Sequence, residues 1–217
     1  MNIETIPYSQ YVENIPQEGR CILGQQTNEQ IIVYQAYNNS IADFAIENQY
    51  FGGNSYSYSR MSWIKPNFLW MMNRCGWAQK ENQERVLGIW IRKTDFDFIL
   101  QESVFSSYQE NIYETQENWK NELANKPVRL QWDPDHDIYG NKQDRKAIQL
   151  GIKGDLLEKF GKEMITEIID LTEFVKLQKK NIQSGELNKL QVPKEWIYEP
   201  KSKEINLQIG LNKEQST

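Results

Sequence analysis

The sequence predicts an α+β fold: a single domain on a mixed or antiparallel sheet of roughly five to six strands with about five helices. Three observations predict it. Runs of β-branched and aromatic residues, such as Ile31-Ile32-Val33-Tyr34 and Val86-Leu87-Gly88-Ile89-Trp90-Ile91, read as buried strands. Segments with helical apolar spacing fall between such runs without the regular alternation of a parallel α/β fold. The chain has 217 residues, 39% hydrophobic and 25% charged, which suits one globular unit with a sizeable core. No internal repeat or low-complexity linker divides it.

Residues 1–28, punctuated by Pro7, Pro16 and Gly19, are expected to be irregular. Residues 29–185 form the predicted core domain, and 186–217 an extended tail packed by Trp196 and Tyr198 and frayed over its last dozen residues. Within the core, 29–37 is a strand, and Asn39 or Ser40 caps a helix over 41–48 that ends at Gly52-Gly53. Residues 55–64 are a strand or an extended loop. Pro66 opens a helix closed near Gly76, since its missing N–H costs nothing in a first turn. Residues 86–92 are the clearest strand; Thr94 or Asp95 then caps a helix over 96–104, and 107–125 is a second helix anchored by Tyr108, Ile112 and Trp119. Residues 128–132 and 147–152 are strands flanking a polar loop, 133–142. A short helix after Gly154-Asp155, a strand over 164–171 and a helix capped by Thr172 and ending at Gly185 complete the core.

Residues 60–80 concentrate the functional signal. They hold Trp63, Trp70 and Trp77, three of the seven tryptophans, together with Arg60, Lys65, Arg74 and Lys80. No Asp or Glu occurs from 48 to 80, so this window carries +4 while the whole chain is −5. On a helical wheel Phe68, Leu69, Met71, Met72 and Cys75 share one side, and Asn67, Trp70, Asn73, Arg74 and Trp77 share the other. The second side suits stacking on a ring and binding an anion. The same pattern also describes a helix buried on two sides, with Arg74 snorkelling or paired to a core carboxylate.

Other chemistry has weaker signals. Asp133, Asp135, His136 and Asp137 lie close together, but their spacing matches no zinc or calcium motif and suits a turn-rich loop, so no metal is expected. There is no nucleophile elbow, no Walker loop and no dinucleotide fingerprint. Cys75 falls on the apolar helix face, where a thiol is inert. With Cys21 as its only companion, no disulfide framework arises, which fits a reduced cytoplasmic setting. No signal peptide or membrane-length apolar run is present, so no membrane partner is expected. The acidic balance argues against a general nucleic-acid coat. Gln35, Gln131 and Gln149 sit within apolar strands, near Arg129 and Arg145. They pair across a sheet or line a cleft.

The segments RMSWIKPNFLWMMNRCGWAQ, ERVLGIWI, VRLQWDPDHD and RKAIQLGIKG resemble the family called domain of unknown function 4291, over about residues 31–177. That resemblance implies one folded unit and brings no activity. A second resemblance is to ADP-ribosyltransferases. Tyr34-Gln35-Ala36-Tyr37 is similar to their first motif, with Gln in the key place, and Ser57-Tyr58-Ser59-Arg60 to their serine-rich strand edge. Their late-strand glutamate is met by Gln149. The resemblance implies NAD as cofactor, with Gln35, Arg60 and Gln149 in catalytic places. The expectation is a nucleotide-like ligand bound by Tyr34, Tyr37, Lys65, Trp70, Arg74, Trp77 and Arg145, in an enzyme acting on nucleic acid or protein. The alternative is a non-enzymatic module that grips a nucleic-acid end or a protein partner through the same basic and aromatic face.

Overall fold

A computed structural model describes residues 3–211. In chain order its first half contains β1 (Thr5–Pro7), α1 (Tyr8–Asn14), β2 (Leu23–Gly24), β3 (Gln30–Tyr37), α2 (Asn39–Asn48), β4 (Ser62–Ile64), α3 (Phe68–Cys75) and β5 (Arg85–Arg92). Then follow α4 (Lys93–Gln101), β6 (Ser103–Phe105), α5 (Gln116–Asn125), β7 (Val128–His136), β8 (Lys142–Ile152) and α6 (Gly154–Lys159). After a π turn come β9 (Ile165–Asp170), α7 (Thr172–Gln183), β10 (Gln191–Pro193), β11 (Trp196–Ile197) and α8 (Lys203–Gln208).

The α+β class is as the sequence predicts, but the sheet is split. One antiparallel sheet has the order β3-β5-β9, and a second, mixed sheet has β4-β8-β7-β6. They meet where Tyr34 N–H donates to the Lys65 carbonyl at 2.7 Å and Lys65 N–H to the Tyr34 carbonyl at 3.3 Å. Alternation along β3 explains its position. Ile31 and Val33 enter one core with Leu87, Ile89 and Phe96. Ile32 and Tyr34 enter another with Phe68, Met72 and Trp90. A strand buried on both faces reads as a continuous apolar run, and each such side chain contributes about 1.5–3 kcal/mol. Gly88 on β5 permits the close approach, because a Cβ there would lie 2.8 Å from Ile32 Cδ1.

Several boundaries differ from the sequence reading. The N-terminal segment, expected to be irregular, and the tail, expected to be only extended, pair with one another: β1 with β10 and β2 with β11, both antiparallel. Such short, distant pairings leave no local period to read. Tyr198 is buried and donates to Asp97 Oδ1 at 2.6 Å, but Trp196 is 46% exposed and anchors nothing in the core. The tail continues into α8, and the part of the expected fraying at 212–217 lies outside the described residues. The helix expected over 107–125 begins only after its cap, Thr115, whose Oγ1 accepts from Asn118 N–H at 3.1 Å. The helix expected to reach 104 stops at Gln101, because Ser103, Val104 and Phe105 are drawn into β6, parallel to β7.

Residues 133–136, expected in a loop, extend β7 to His136 opposite Lys142. The turn beyond them is held by Asp137 Oδ1, which accepts from Tyr139 and Asn141 N–H groups at 2.8 and 2.9 Å. Caps shift by a residue or two: Asn38 rather than Asn39 or Ser40 caps α2, and Asn67 rather than Pro66 begins α3. No helix among the described residues is long and apolar enough to cross a membrane.

Candidate functional site

A cleft of about 540 Å³ opens at the seam between the two sheets. Its walls come from the end of β3 (Gln35, Tyr37), from Arg60 before β4, from Ser62 and Trp63 of β4, and from the facing residues Lys65, Arg74, Gln131 and Gln149. The local sequence builds this shape. Trp63 of β4 pairs with Gly151 of β8. A Cβ at Gly151 would lie 2.6 Å from Met61 Sδ and 2.8 Å from Trp63 Cε2, so the absent side chain makes room for both. Asn67 caps α3 by accepting from Trp70 N–H at 2.7 Å, and Gly76 ends the helix with φ 59°. Between those caps Arg74 is the exposed position, while Trp70 and Met71 are buried.

Gln35 is 3% exposed. Its Nε2 donates to Ser62 Oγ at 2.7 Å and to the Trp63 carbonyl at 3.2 Å, while its Oε1 is buried without a partner. The carbonyl contact requires a donor and so fixes the amide's orientation. Ser62 Oγ also shares a hydrogen bond with the Tyr37 hydroxyl at 2.9 Å. Across the cleft, Gln149 Nε2 donates to Gln131 Oε1 and to Asp133 Oδ2, both at 2.7 Å.

Lys65 is 5% exposed and its Nζ donates to the Trp63 carbonyl at 3.2 Å. Burial, reinforced by the Arg74 charge and only partly opposed by Cys75 and Asp133, brings its pKa down to about 7. Among the described residues, Arg60, Lys65 and Arg74 form no ion pair. Elsewhere Arg85 bridges Asp43 and Asp170 at 2.6 Å each. Among the described residues, the cleft therefore gathers cationic side chains that no carboxylate pairs directly, although the Asp133 charge acts on Lys65.

Gln35, Tyr37, Arg60, Lys65, Arg74 and Gln149 from the sequence-derived set share this cleft. Tyr34, Trp70, Trp77 and Arg145 do not line it. Tyr34 projects from the opposite face of β3 and is 0% exposed, with its ring 5.5 Å from that of Phe68. Trp77 packs on the same Phe68 at 6.0 Å. Trp70 stacks on His136 at 5.1 Å, with the Arg74 guanidinium 5.9 Å from its ring centre. Arg145 is buried on Asp135, with Nη2–Oδ2 2.7 Å, and also donates to the Pro16 carbonyl. Thus α3 is covered on both sides, and its polar stripe is largely a packing surface.

Ser62 was not singled out by sequence, and Trp63 was noted in the tryptophan-rich window without being placed among the ligand contacts; strand alternation places Ser62 and Ile64 opposite Trp63. In the acidic stretch Asp135 pairs with Arg145 and Asp137 braces its turn. Among the described residues no group of three or more His, Cys, Asp or Glu is placed to hold a metal ion.

These features define an α+β domain with a cationic, amide-lined cleft between two sheets. The chain belongs to the family described as domain of unknown function (DUF4291), which it matches over residues 21–198, a span that includes every cleft residue. No curated protein matches it.

Proposed function

We propose that the cleft binds a phosphate-bearing, nucleotide-like ligand. The observation that carries this reading is the convergence of Arg60, Lys65 and Arg74, without carboxylate partners among the described residues, on a cavity that also holds an unpaired buried acceptor at Gln35. Arg60 and Arg74 take phosphate oxygens, since guanidinium groups match them with paired donors. Lys65 adds a third positive charge when protonated. Trp63 and Tyr37 offer ring surfaces to a base or sugar, and Gln35 Oε1 accepts from a ligand hydroxyl or amine. The volume lies within the roughly 300–1,000 Å³ usual for small-ligand sites.

NAD is the nucleotide that the resemblance in the 34–37 and 57–60 segments implies. The residues lining the cleft include no carboxylate, and Gln149 is held by Gln131 and Asp133. We therefore propose nucleotide binding and leave ADP-ribose transfer out of the reading. Mass spectrometry under gentle conditions, with NAD, ADP or AMP added to purified protein, tests it. A one-to-one complex that Arg74→Ala weakens is expected; no complex with any of the three would overturn it.

A further inference from the structure

Lys65 occupies an unusual setting for a lysine. It is almost wholly inside the protein, yet it lines the cleft and forms no ion pair among the described residues. Its peptide group is clamped on both sides by Tyr34, so the stem starts from a fixed point at the seam of the sheets. Among the described residues Nζ has one hydrogen bond, to the Trp63 carbonyl at 3.2 Å. The charged groups acting on it are Arg74 from α3, which opposes protonation, and Cys75 and Asp133, which favour it less strongly than burial opposes it. A desolvated amine beside another cation, open to a ligand cavity, is the arrangement that makes lysine a nucleophile.

We propose that Lys65 is a nucleophilic amine that captures the aldehyde or ketone carbon of a phosphate-bearing substrate as an imine. The proposal rests on the phosphate reading of the cleft, with Arg60 and Arg74 holding the phosphate. The Nζ lone pair forms the N–C bond as the carbonyl π pair moves to oxygen. Both N–H protons pass to that oxygen through solvent, the C–O bond breaks, and water leaves as C=N forms. Ser62 and Tyr37 hydroxyls, which line the same cavity, give the carbonyl oxygen hydrogen-bond partners.

Pyridoxal 5′-phosphate tests this directly, because it carries both an aldehyde and a phosphate. The folded protein is treated with it, reduced with borohydride, digested, and the labelled lysines are located by mass spectrometry. At neutral pH an amine with pKa about 7 offers ~1,000-fold more free base than an ordinary lysine. Lys65 should therefore be labelled at least about ten-fold faster than exposed Lys80 or Lys142. With pyridoxal, which lacks the phosphate, Lys65 labelling should level off above about pH 7.

Equal rates at Lys65 for pyridoxal and its phosphate would show a reactive amine but overturn the phosphate reading and the substrate class with it. Lys65 left unlabelled while Lys80 and Lys142 react would overturn the nucleophile itself. Lys65→Met serves as the control, in which the corresponding labelled peptide must vanish.

Discussion

Gln35 has its nitrogen bonded twice and its oxygen not at all, in a side chain 3% exposed. An orphaned buried acceptor costs about 1–3 kcal/mol unless something reaches it, and the proposed ligand would supply the missing donor. In Gln35→Leu the Trp63 carbonyl keeps Lys65 as a donor and Ser62 keeps Tyr37. Stability should therefore fall by less than about 1 kcal/mol while nucleotide affinity drops about five-fold or more. Urea denaturation and a binding titration separate the two effects; a large loss of stability with unchanged binding would make Gln35 purely structural. Glu195 is the second diagnostic residue. Its Oε1 accepts from Phe68 N–H at 2.7 Å, and its Oε2 from Tyr11 and Asn67 at 2.8 and 3.2 Å. Burial pushes its pKa up to about 8. The folded state thus keeps a proton that the unfolded chain releases from about pH 4.5 upward. This contribution to stability is full below the unfolded value and is lost as pH rises through about 8. Lys65 runs the other way: its folded pKa is depressed, so its contribution is present above the ordinary lysine range and is lost as pH falls through about 7. Glu195→Gln should flatten the decline in stability between about pH 5 and about pH 7. Urea midpoints at those two pH values measure it, and an unchanged slope would show that Glu195 titrates normally.

At the level of elements, β4 and α3 shape the cleft. Gly151 is where β8 yields to Trp63 and Met61. Gly151→Ala should displace them, at a cost of about 1–3 kcal/mol in melting stability, and weaken ligand binding through the moved Trp63. Wild-type affinity in a destabilised variant would show that Trp63 does not touch the ligand. The C-terminal limit of α3 was legible from Gly76, because caps are local chemistry, whereas its N-cap falls at Asn67 and not at the expected opening residue Pro66. Burial on both faces was one of the two readings its pattern allowed, and what decides it lies outside the helix, since Trp70 is covered by His136 from a strand some sixty residues away. The left-handed conformations of Trp77 and Ala78, φ 57° and 63°, were also hidden, because neither residue type advertises them. Tyr34 was separable in principle: adjacent strand residues face opposite ways, which sets the Tyr34 side chain on the other face of β3 from that of Gln35.

Across the whole molecule, the seam between the sheets is what gathers a charge pattern around one cleft. The acid-free window was visible, and three of its cationic residues, Arg60, Lys65 and Arg74, line one cavity. Arg145 misled because its partner, Asp135, reaches it through the register of β7 and β8, which no local pattern prints. The paired chain ends were equally hidden, although Glu195 and Tyr198 tie the C-terminal segment to α3 and α4. The phosphate claim is tested most directly by calorimetric titration with adenosine, AMP and ADP, on wild-type protein and Arg74→Ala. If Arg60 and Arg74 bind phosphate, ADP should bind roughly ten-fold or more tightly than adenosine. Arg74→Ala should remove most of that gap without changing the melting temperature. Equal affinity for adenosine and ADP, or no binding of either, would contradict the account.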